Sequence, residues 1–382
     1  MELDNAQLHR YARQVILPEV GFVGQKKICD GSVLCIGAGG LGSPVLLYLA
    51  AAGVGKIGII DFDTVELANL QRQVIHTTDD IGRPKTVSAK EKLQRLNPTI
   101  QVVTHEAKLT STNALQMIAQ YDVVVDGTDN LPARYLANDA CVLSKKPLVY
   151  GAVFRFEGQA SVFAPHLGGP CYRCIYPEPP PPDAIPSCAE AGVLGVLPGI
   201  IGCIQATEAL KLLLGATDVL MGRLLVFDAL AMRVREVKLR RDPACPVCGS
   251  RPSIRKLIDY EQWCRVTTHY ADDVPGPDEV TVYELKRVLA NPELGVKVID
   301  VREPAEYAIV HLPGTVLVPM SALPGKLNEL TPTQPIYLLC KSGTRSLKAV
   351  ALLKSHGFTH VKSVKGGLDA WVRCIDPLLP TY

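Results

Sequence analysis

The sequence predicts an α/β protein with two domains, and three observations lead to this fold class. First, a glycine-rich turn at residues 37–42 separates an apolar run, 33–36, from a helical pattern, and a second apolar run then ends at Asp61. Second, the chain from residue 277 onward has its own alternation of short apolar runs and helical patterns. Third, 382 residues are long for one domain.

Composition and charge restrict the classes of function. A net charge of +2 gives no sign of a surface for nucleic acid or for an anionic membrane. The N-terminal residues lack the basic and apolar regions of a signal peptide. The apolar stretch 193–214 contains Pro198, Glu208 and Lys211, so we expect a buried helix rather than a membrane span. Twelve cysteines without a secretory signal favour metal and thiol chemistry in a reducing cytoplasm.

The glycine turn is the strongest local motif. Strand, glycine turn, helix, strand and acid follow in the order of a nucleotide-binding βαβ unit. Glycines let the backbone approach phosphates, and the start of the helix offers free N–H groups to an anion. Asp61 is placed to accept hydrogen bonds from a ribose hydroxyl. The motif indicates a nucleotide, and an NAD-dependent oxidoreductase fits it as well.

Polar residues follow the second strand, where ligands bind in open α/β sheets. Arg72 can clamp phosphates, while Asn69 and Gln73 can position them. Lys85 opens the next helical pattern and would, in isolation, be an ordinary surface lysine. Near the N-terminus, Arg13 lies in an amphipathic segment. That segment is either a solvated helix face or a means of presenting a guanidinium group to phosphate.

A further apolar strand, 123–126, is followed by the sequence Gly-Thr-Asp-Asn. A carboxylate there, Asp129, is well placed to hold Mg²⁺ beside a phosphate cradle. Alternatively, Asp129 or Asn130 caps the following helix, and both roles can coexist. The alternating pattern at 155–163 predicts that the sheet becomes antiparallel from this point.

Two Cys-x-x-Cys pairs predict a closed, structural Zn²⁺ site, formed by Cys171, Cys174, Cys245 and Cys248. A thioredoxin-like redox pair is the competing interpretation, but neither pair follows the βαβ pattern that it requires. Between the pairs, a stiff proline run leads to Cys188. This lone cysteine is either a reactive thiol before a helix or an inert small residue.

Residues 251–276 show little periodicity and end in turn residues, which predicts a linker between domains at 1–250 and 277–382. In the second domain, Cys340 lies between a buried strand and a helix, in the loop Cys-Lys-Ser-Gly-Thr-Arg. Backbone N–H groups, the helix dipole and Lys341 should lower the pKa of this thiol and make it a nucleophile. Arg345 closes the loop, which is one residue shorter than loops that bind phosphoryl groups and better fits a persulfide. An unreactive cysteine is the alternative.

Together these motifs resemble two known families. Residues 1–250 are similar to the MoeB/ThiF adenylyltransferases, relatives of ubiquitin-activating enzymes, through GxGGLG, DFDxVxxxNLxRQ, DGTDN and the paired CxxC motifs. Residues 277–382 resemble a rhodanese sulfurtransferase domain. The resemblance implies a Rossmann-like nucleotide-binding domain with an antiparallel sheet extension and a structural zinc site, followed by a small α/β rhodanese domain.

The resemblance also implies cofactors and roles for individual residues. ATP and Mg²⁺ would be bound by Gly37, Gly39, Gly40, Gly42, Asp61, Asn69, Arg72, Gln73, Lys85, Asp129 and Asn130. Asp129 would hold the metal ion. Arg13 would reach the ATP of a partner subunit, so a homodimer would be the catalytic unit. Arg72, Lys85 and Asp129 would act in catalysis together with Arg13.

The implied substrate is a ubiquitin-like sulfur carrier protein of the MoaD/ThiS type, with a Gly-Gly tail. Its carboxylate would be adenylylated, and Cys340, with Arg345 beside it, would carry sulfur from thiosulfate or a cysteine desulfurase as a persulfide. Cys188 would resolve the resulting acyl disulfide. The product would serve a pathway such as molybdenum cofactor or thiamine biosynthesis.

Two alternatives come from other classes of function. An NAD-dependent oxidoreductase accounts for the glycine turn and Asp61, but it leaves Arg72, Lys85 and the second domain unexplained. A non-catalytic, zinc-stabilised module that docks carriers predicts that Cys340→Ala leaves sulfur transfer from thiosulfate unchanged.

Overall fold

A computed structural model describes residues 3–180, 192–264, 275–376, 378–380 and 382. The chain divides into two compact units, Met1–Thr267 and Thr268–Tyr382. Each unit has its own sheet. The prediction of an α/β protein is therefore confirmed, and the two units are described separately below.

An eight-stranded mixed sheet forms the centre of the first unit, in the order β3-β2-β1-β4-β5-β6-β7-β8. Its strands are β1 (Ser32–Ile36), β2 (Lys56–Asp61), β3 (Gln101–Glu106), β4 (Val123–Asp126), β5 (Leu148–Phe154), β6 (Glu157–Phe163), β7 (Arg223–Asp228) and β8 (Arg233–Lys238). Strands β1 to β5 pair in parallel, and β5 to β8 pair antiparallel. The antiparallel extension predicted from the alternating pattern is present.

Helices pack on both faces of this sheet. The α-helices of the unit are α1 (Asn5–Val15), α2 (Gly21–Asp30), α3 (Gly42–Ala52), α4 (Lys85–Leu96), α5 (Ala114–Ile118), α6 (Leu131–Leu143), α7 (Val196–Leu214) and α8 (Tyr260–Trp263). Short 3₁₀ turns occur at Leu67–Asn69, Thr78–Asp80, Pro165–Leu167 and Tyr172–Cys174. Successive residues of β1 point to opposite faces. Val33 and Cys35 therefore join a core with α3 and α7, while Leu34 and Ile36 join a second core with α5 and α6.

Helix α7 is long and apolar enough to cross a membrane by length and composition alone, and one such helix is weak evidence for a span. In the described structure, Leu197 and Ile201 of this helix are buried in the core of the sheet. Its buried Glu208 accepts hydrogen bonds from Lys211 and from the backbone N–H of Leu220. These contacts are those of a core helix, as its interrupting polar residues predicted.

The first part of the predicted linker, 251–276, packs on the first unit. Tyr260 of α8 is buried and donates a hydrogen bond to Asp139, and Ile254 packs against the cysteine cluster. Described residues of the predicted linker, up to Cys264, thus contact the first unit, and the division between the units falls at Thr267 and Thr268. Residues 265–274 lie outside the described residues. The sequence missed this because a few separated contacts, with no periodic pattern, hold the segment in place.

The second unit contains a parallel five-stranded sheet in the order β11-β10-β12-β13-β9. Its strands are β9 (Glu279–Val280), β10 (Lys297–Asp300), β11 (Val316–Leu317), β12 (Ile336–Leu339) and β13 (Val361–Val364). Its helices are α9 (Val282–Ala290), α10 (Pro304–Ile309), α11 (Thr344–Ser355) and α12 (Gly367–Cys374), with 3₁₀ turns at Pro292–Leu294 and Leu323–Glu329. Cys340 directly follows the central strand β12.

The packing of α7 against α3 yields a prediction about stability. A Cβ atom at Gly202 would lie 2.5 Å from the backbone oxygen of Leu41 and would collide with Pro44. Gly202→Ala should therefore destabilise the protein by about 1–3 kcal/mol through overpacking. Thermal unfolding measures the change.

Gly199 in the same helix is the matched control, because a Cβ atom there would meet no atom within 4 Å. Gly199→Ala should be neutral or stabilising by up to about 1 kcal/mol, since alanine is the better helix former. Equal melting temperatures for the two variants would contradict the close packing of these helices.

Candidate active site

The glycine turn connects β1 to α3 and rests on the neighbouring strand β4. Gly37 adopts a left-handed conformation (φ 96°), and a Cβ atom there would lie 3.0 Å from the backbone oxygen of Gly127. At Gly42 a Cβ atom would collide with the oxygen of Gly37. Only glycine satisfies both positions. The turn therefore lies at the end of β1, between the neighbouring strands β2 and β4, where the strand order changes direction. Ligands usually bind at this position in open α/β sheets.

The segment after β2 lies next to this turn. The Cβ position of Gly39 is 3.7 Å from Gln73 Nε2, and that of Gly40 is 3.4 Å from Arg72 Cγ. Gln73 is buried, and its Oε1 has no hydrogen-bond partner among the described residues. Arg72 is half-buried and donates a hydrogen bond to the backbone oxygen of Ala68. The structure thus brings together two groups of candidates that are far apart in sequence.

Asp61 fastens the turn to β2. Its Oδ2 accepts a hydrogen bond from the N–H of Ala38 at 2.8 Å, and its Oδ1 accepts one from the N–H of Asp63 at 2.9 Å. A carboxylate has further lone pairs, so these bonds leave acceptor capacity for a ribose. Asn69, half-buried in the following 3₁₀ turn, accepts a long 3.4 Å hydrogen bond from the N–H of Glu66.

Lys85 is not an ordinary surface lysine. It is buried at the start of α4, and its Nζ lies 3.0 Å from Asp63 Oδ2. A buried ammonium needs a partner, and Asp63 supplies it. No motif singles out Asp63, because its role depends on a contact between two distant segments.

His76 is a second residue that the motifs did not reveal. Its Nε2 lies 3.0 Å from the backbone oxygen of Ala38, and its Nδ1 lies 2.8 Å from Ser88 Oγ. Burial lowers the pKa of His76, and the charge of Lys85 lowers it further, against the effect of the bond to Ala38. His76 therefore braces the turn as a neutral imidazole.

Asp129 and Asn130 follow β4 at the same edge of the sheet. Asn130 caps α6, since its Oδ1 accepts a hydrogen bond from the N–H of Ala133 at 3.0 Å. Asp129 is exposed and forms no hydrogen bond or ion pair with the described residues. Its carboxylate is therefore available to a hard cation such as Mg²⁺. The buried Asp126, at the end of β4, forms an ion pair with Arg134 at 3.4 Å and helps to fix this edge of the sheet.

Arg13 lies on α1 and is exposed. It forms no side-chain hydrogen bond or ion pair within the described part of the chain. Its neighbour Tyr11 is instead buried and accepts a hydrogen bond from Asn97 at 2.8 Å. Helix α1 is thus fixed to the unit while Arg13 faces outward.

Four cysteines of the paired motifs converge on one point. The Sγ atoms of Cys171, Cys174, Cys245 and Cys248 all lie within 4.8 Å of one another. A Zn–S bond of about 2.3 Å requires tetrahedral S–S separations of about 3.8 Å. The observed 3.9, 3.5 and 3.4 Å separations between neighbouring sulfurs are close to this value. The cluster therefore fits a structural zinc ion, which would cross-link the two loops.

Arg173, between two of these cysteines, ties the cluster to the rest of the unit. It is almost fully buried and forms a bidentate ion pair with Asp139 of α6, with donor–acceptor distances of 2.8–3.0 Å. Its guanidinium also lies 4.2 Å from the ring of Trp263 in α8 and donates to the backbone oxygen of Pro177. Cys188, which lies between the two cysteine pairs in the sequence, is outside the described residues.

In the second unit, Cys340 is fully buried at the end of β12. Its Sγ accepts hydrogen bonds from the N–H groups of Gly343 (3.2 Å) and Ser346 (3.4 Å). A sulfur anion at this position would be stabilised by both donors and by the N-terminus of α11.

A cation of the loop, Arg345, is held by a carboxylate outside the loop. Arg345 forms a bidentate ion pair with Glu306 of α10, at 2.6 and 2.7 Å. Although burial opposes it, hydrogen bonds from Arg345 and from the N–H of Glu303 lower the pKa of Glu306 to about 2. Arg345, predicted to close the loop, is therefore held in place by Glu306. The sequence did not reveal this partner, because Glu306 is distant in the chain.

The cysteine cluster yields a prediction about metal content. Purified protein should contain about one zinc ion per chain, and Cys248→Ser should reduce this content to well below half and lower the melting temperature. Elemental analysis and thermal unfolding measure the two effects. Cys203→Ser, a half-buried cysteine of α7 outside the cluster, is the control and should retain zinc. Loss of zinc from both variants, or from neither, would contradict the assignment.

Comparisons with known proteins agree with this geometry. Residues 11–247 match the ThiF family, and residues 281–374 match the rhodanese-like domain. The probable adenylyltransferase/sulfurtransferase MoeZ of Mycobacterium tuberculosis is 46% identical over 100% of this chain and 96% of its own length. The adenylyltransferase and sulfurtransferase MOCS3 of Aedes aegypti is 45% identical over 100% of this chain and 90% of its own.

Two further comparisons concern the first unit. The sulfur carrier protein adenylyltransferase of Thermus thermophilus is 54% identical over 69% of this chain and 99% of its own length. The crystal structure of Escherichia coli MccB with ATP has a TM-score of 0.55 at 22% identity, covering 63% of this chain and 74% of that one, which shows a shared fold. The chain therefore belongs to the ThiF family and, by its full-length relatives, to the ThiF–rhodanese adenylyltransferase/sulfurtransferases.

Proposed function

We propose that this protein uses ATP to adenylylate the C-terminal glycine of a ubiquitin-like sulfur carrier protein and then delivers sulfur from a Cys340 persulfide to form a thiocarboxylate. One observation carries the proposal: a single chain holds a phosphate-type glycine turn flanked by Arg72 and Lys85 and a loop whose cysteine sulfur accepts two backbone hydrogen bonds. The names of the full-length relatives pair the same two activities.

In the first half-reaction, the glycine turn and the start of α3 hold the phosphates of ATP. Asp61 holds the ribose, and the orphaned Oε1 of Gln73 accepts a hydrogen bond from the nucleotide. Lys85 exchanges its partner Asp63 for phosphate oxygens, and Asn69 and Arg72 contact the triphosphate. Asp129, with Asn130 beside it, would hold Mg²⁺, which neutralises charge on the phosphates when it is bound.

The carrier carboxylate attacks the α-phosphorus of ATP. A carboxyl oxygen–phosphorus bond forms, and the bond between the α-phosphorus and the bridging oxygen breaks, so pyrophosphate leaves and the carrier becomes an acyl-adenylate. The cations around the turn stabilise the charge that builds on the phosphate oxygens, where most of the catalysis of such reactions originates. No residue needs to act as a base, because the carboxylate is already ionised at neutral pH.

A homodimer completes this site. Arg13 is exposed and without a partner among the described residues, as expected for a side chain that acts on a neighbouring subunit. Close to it in sequence, Ile16, Leu17, Phe22 and Val23 expose 50–73% of their surfaces. Apolar side chains clustered in this way indicate a protein contact. We therefore place the subunit interface at α1 and α2.

A protein substrate also needs a docking surface. The hairpin of β7 and β8 exposes Leu230, Met232 and Val234 by 61–75%, and β8 is exposed along its whole length. The apolar tip of this hairpin is a second candidate for protein contact on the first unit. We propose that the sulfur carrier docks there, with its Gly-Gly tail extended to the ATP.

In the second half-reaction, Cys340 takes a sulfur atom from a donor, either thiosulfate or a cysteine desulfurase, and becomes a persulfide. The terminal persulfide sulfur attacks the acyl carbon of the adenylate, and AMP leaves with the bonding electron pair. The Cys188 thiolate then attacks the Cys340 sulfur of the acyl disulfide. This step releases the thiocarboxylate and leaves a Cys188–Cys340 disulfide, which cellular thiols reduce. Such a cycle suits the cytoplasm, where thiols are kept reduced.

The linker predicted at 251–276 would connect the two half-reactions within one chain. The zinc ion would act from a distance, by holding the loops of the four cysteines. Through Arg173, the same cluster fixes Pro177, which precedes Cys188 in the sequence.

The dimer and its ATP site yield a kinetic prediction. Arg72→Ala and Arg13→Ala should each lower carrier-dependent exchange of pyrophosphate into ATP by about 100-fold or more, because each removes a cation from the developing phosphate charge. Arg10→Ala is the control, since Arg10 lies on the same helix and bonds the backbone oxygen of Leu96.

Co-expression of two variants distinguishes whether Arg13 acts on the ATP of its own subunit or on that of the partner subunit. If Arg13 acts on the partner's ATP, dimers of one Arg13→Ala and one Arg72→Ala subunit contain one intact site. Random mixing should then restore about a quarter of wild-type exchange. No restoration would show that Arg13 serves its own subunit, and exchange without any carrier would contradict the proposed substrate.

A further inference from the structure

Tyr382 lies against the loop that holds Cys340. Its hydroxyl accepts a hydrogen bond from Arg302 Nη1 at 2.8 Å and donates one to Glu306 Oε1 at 2.9 Å. Its ring centroid is 4.5 Å from Lys341 Nζ, and its backbone oxygen accepts a hydrogen bond from the same Nζ. Three charged groups therefore hold this one residue.

The anchor for Tyr382 is rigid. Arg302 is fully buried, and its Nε and Nη2 form short bonds to the equally buried Asp300 at the end of β10. The remaining nitrogen, Nη1, is the one that reaches Tyr382. Burial raises the pKa of Tyr382, so the phenol stays protonated and able to donate to Glu306.

Tyr382 holds one of the two cations of the loop directly and contacts the partner of the other. Lys341 contacts it directly, while Arg345 is paired with Glu306, the same carboxylate that Tyr382 bonds. A small dianion that enters the loop must compete with these partners for each cation. Tyr382 also lines a narrow cleft beside Lys341, together with Val310, Leu368, Asp369, Val372 and Pro380.

We propose that Tyr382 is a specificity-determining residue of the sulfur-donor step: by engaging Lys341, it weakens the binding of small sulfur-donating dianions such as thiosulfate. The inference rests on the proposed role of Cys340. Tyr382 thereby reserves the loop for donors that do not depend on Lys341, which narrows the class of donor that the protein uses.

The step that Tyr382 restricts is a simple sulfur transfer. The Cys340 thiolate attacks the outer sulfur of thiosulfate, the S–S bond of thiosulfate breaks, and sulfite leaves with the electron pair. The negative charge of the enzyme moves to the terminal persulfide sulfur. With cyanide as acceptor, this sulfur leaves as thiocyanate and the Cys340 thiolate is restored.

The test measures thiocyanate formation by the full-length protein at varied thiosulfate concentration. Tyr382→Ala should lower KM for thiosulfate by about fivefold and leave kcat within about twofold, because it removes the ring over Lys341 and the hydroxyl that anchors residue 382, without touching the reacting sulfur. Tyr382→Phe removes only the hydroxyl contacts and should lower KM by about twofold. Sulfate, an unreactive dianion, should inhibit the Tyr382→Ala variant more strongly by the same factor as the change in KM.

Tyr337→Phe is the matched control, because it removes a phenol hydroxyl of β12 whose bond goes to Glu284 instead. Its KM should equal that of the wild type. An unchanged or raised KM in both Tyr382 variants, with activity that still depends on Cys340, would overturn the inference. If Tyr382→Ala does not fold, Tyr382→Phe and its sulfate inhibition decide the question. Thiocyanate formation by Cys340→Ala would instead contradict the proposed function itself.

Discussion

The first unit depends on a close backbone contact between the ends of strands β1 and β4. Glycines on both sides allow this contact. Gly37 closes β1 against Gly127 at the end of β4, and Gly42 starts α3 directly over the oxygen of Gly37. This close approach places the turn at the carboxyl edge of the sheet, where we propose that phosphates bind. Asp61 and His76 brace the turn from the side, both through Ala38. Candidate residues from β2, α4 and β4 converge there because their strands are neighbours of β1.

Charge pairs recur at the functional positions of both units. Lys85 is paired with Asp63, Arg173 with Asp139, and Arg345 with Glu306. A buried or half-buried cation without a partner would be costly, so each is held by a carboxylate in the free protein. In the proposed mechanism, the carboxylates paired with Lys85 and Arg345 give way to an anionic substrate. The same pairing that positions these cations therefore also sets how strongly a competing anion must bind.

The sequence predicted features that depend on local order and missed those that depend on distant contacts. The glycine turn, the paired cysteines and the cysteine loop are short motifs whose residue types and spacing already imply their geometry. Asp63, Glu306 and Tyr382 carry no such signal, since their roles arise only when remote segments meet. Helix α8 was assigned to a linker for the same reason, because Tyr260 and Trp263 find their partners about a hundred residues away in sequence.

The central claim is that one chain first activates a carboxylate and then replaces one of its oxygens with sulfur from Cys340. Intact-mass spectrometry of a Gly-Gly-tailed carrier, incubated with ATP, Mg²⁺, thiosulfate and the protein, tests it most directly. Wild-type protein should convert the carrier to the thiocarboxylate, and Cys340→Ser should stop at the acyl-adenylate. A thiocarboxylate made by Cys340→Ser, or an acyl-adenylate that never forms with any such carrier, would contradict the account.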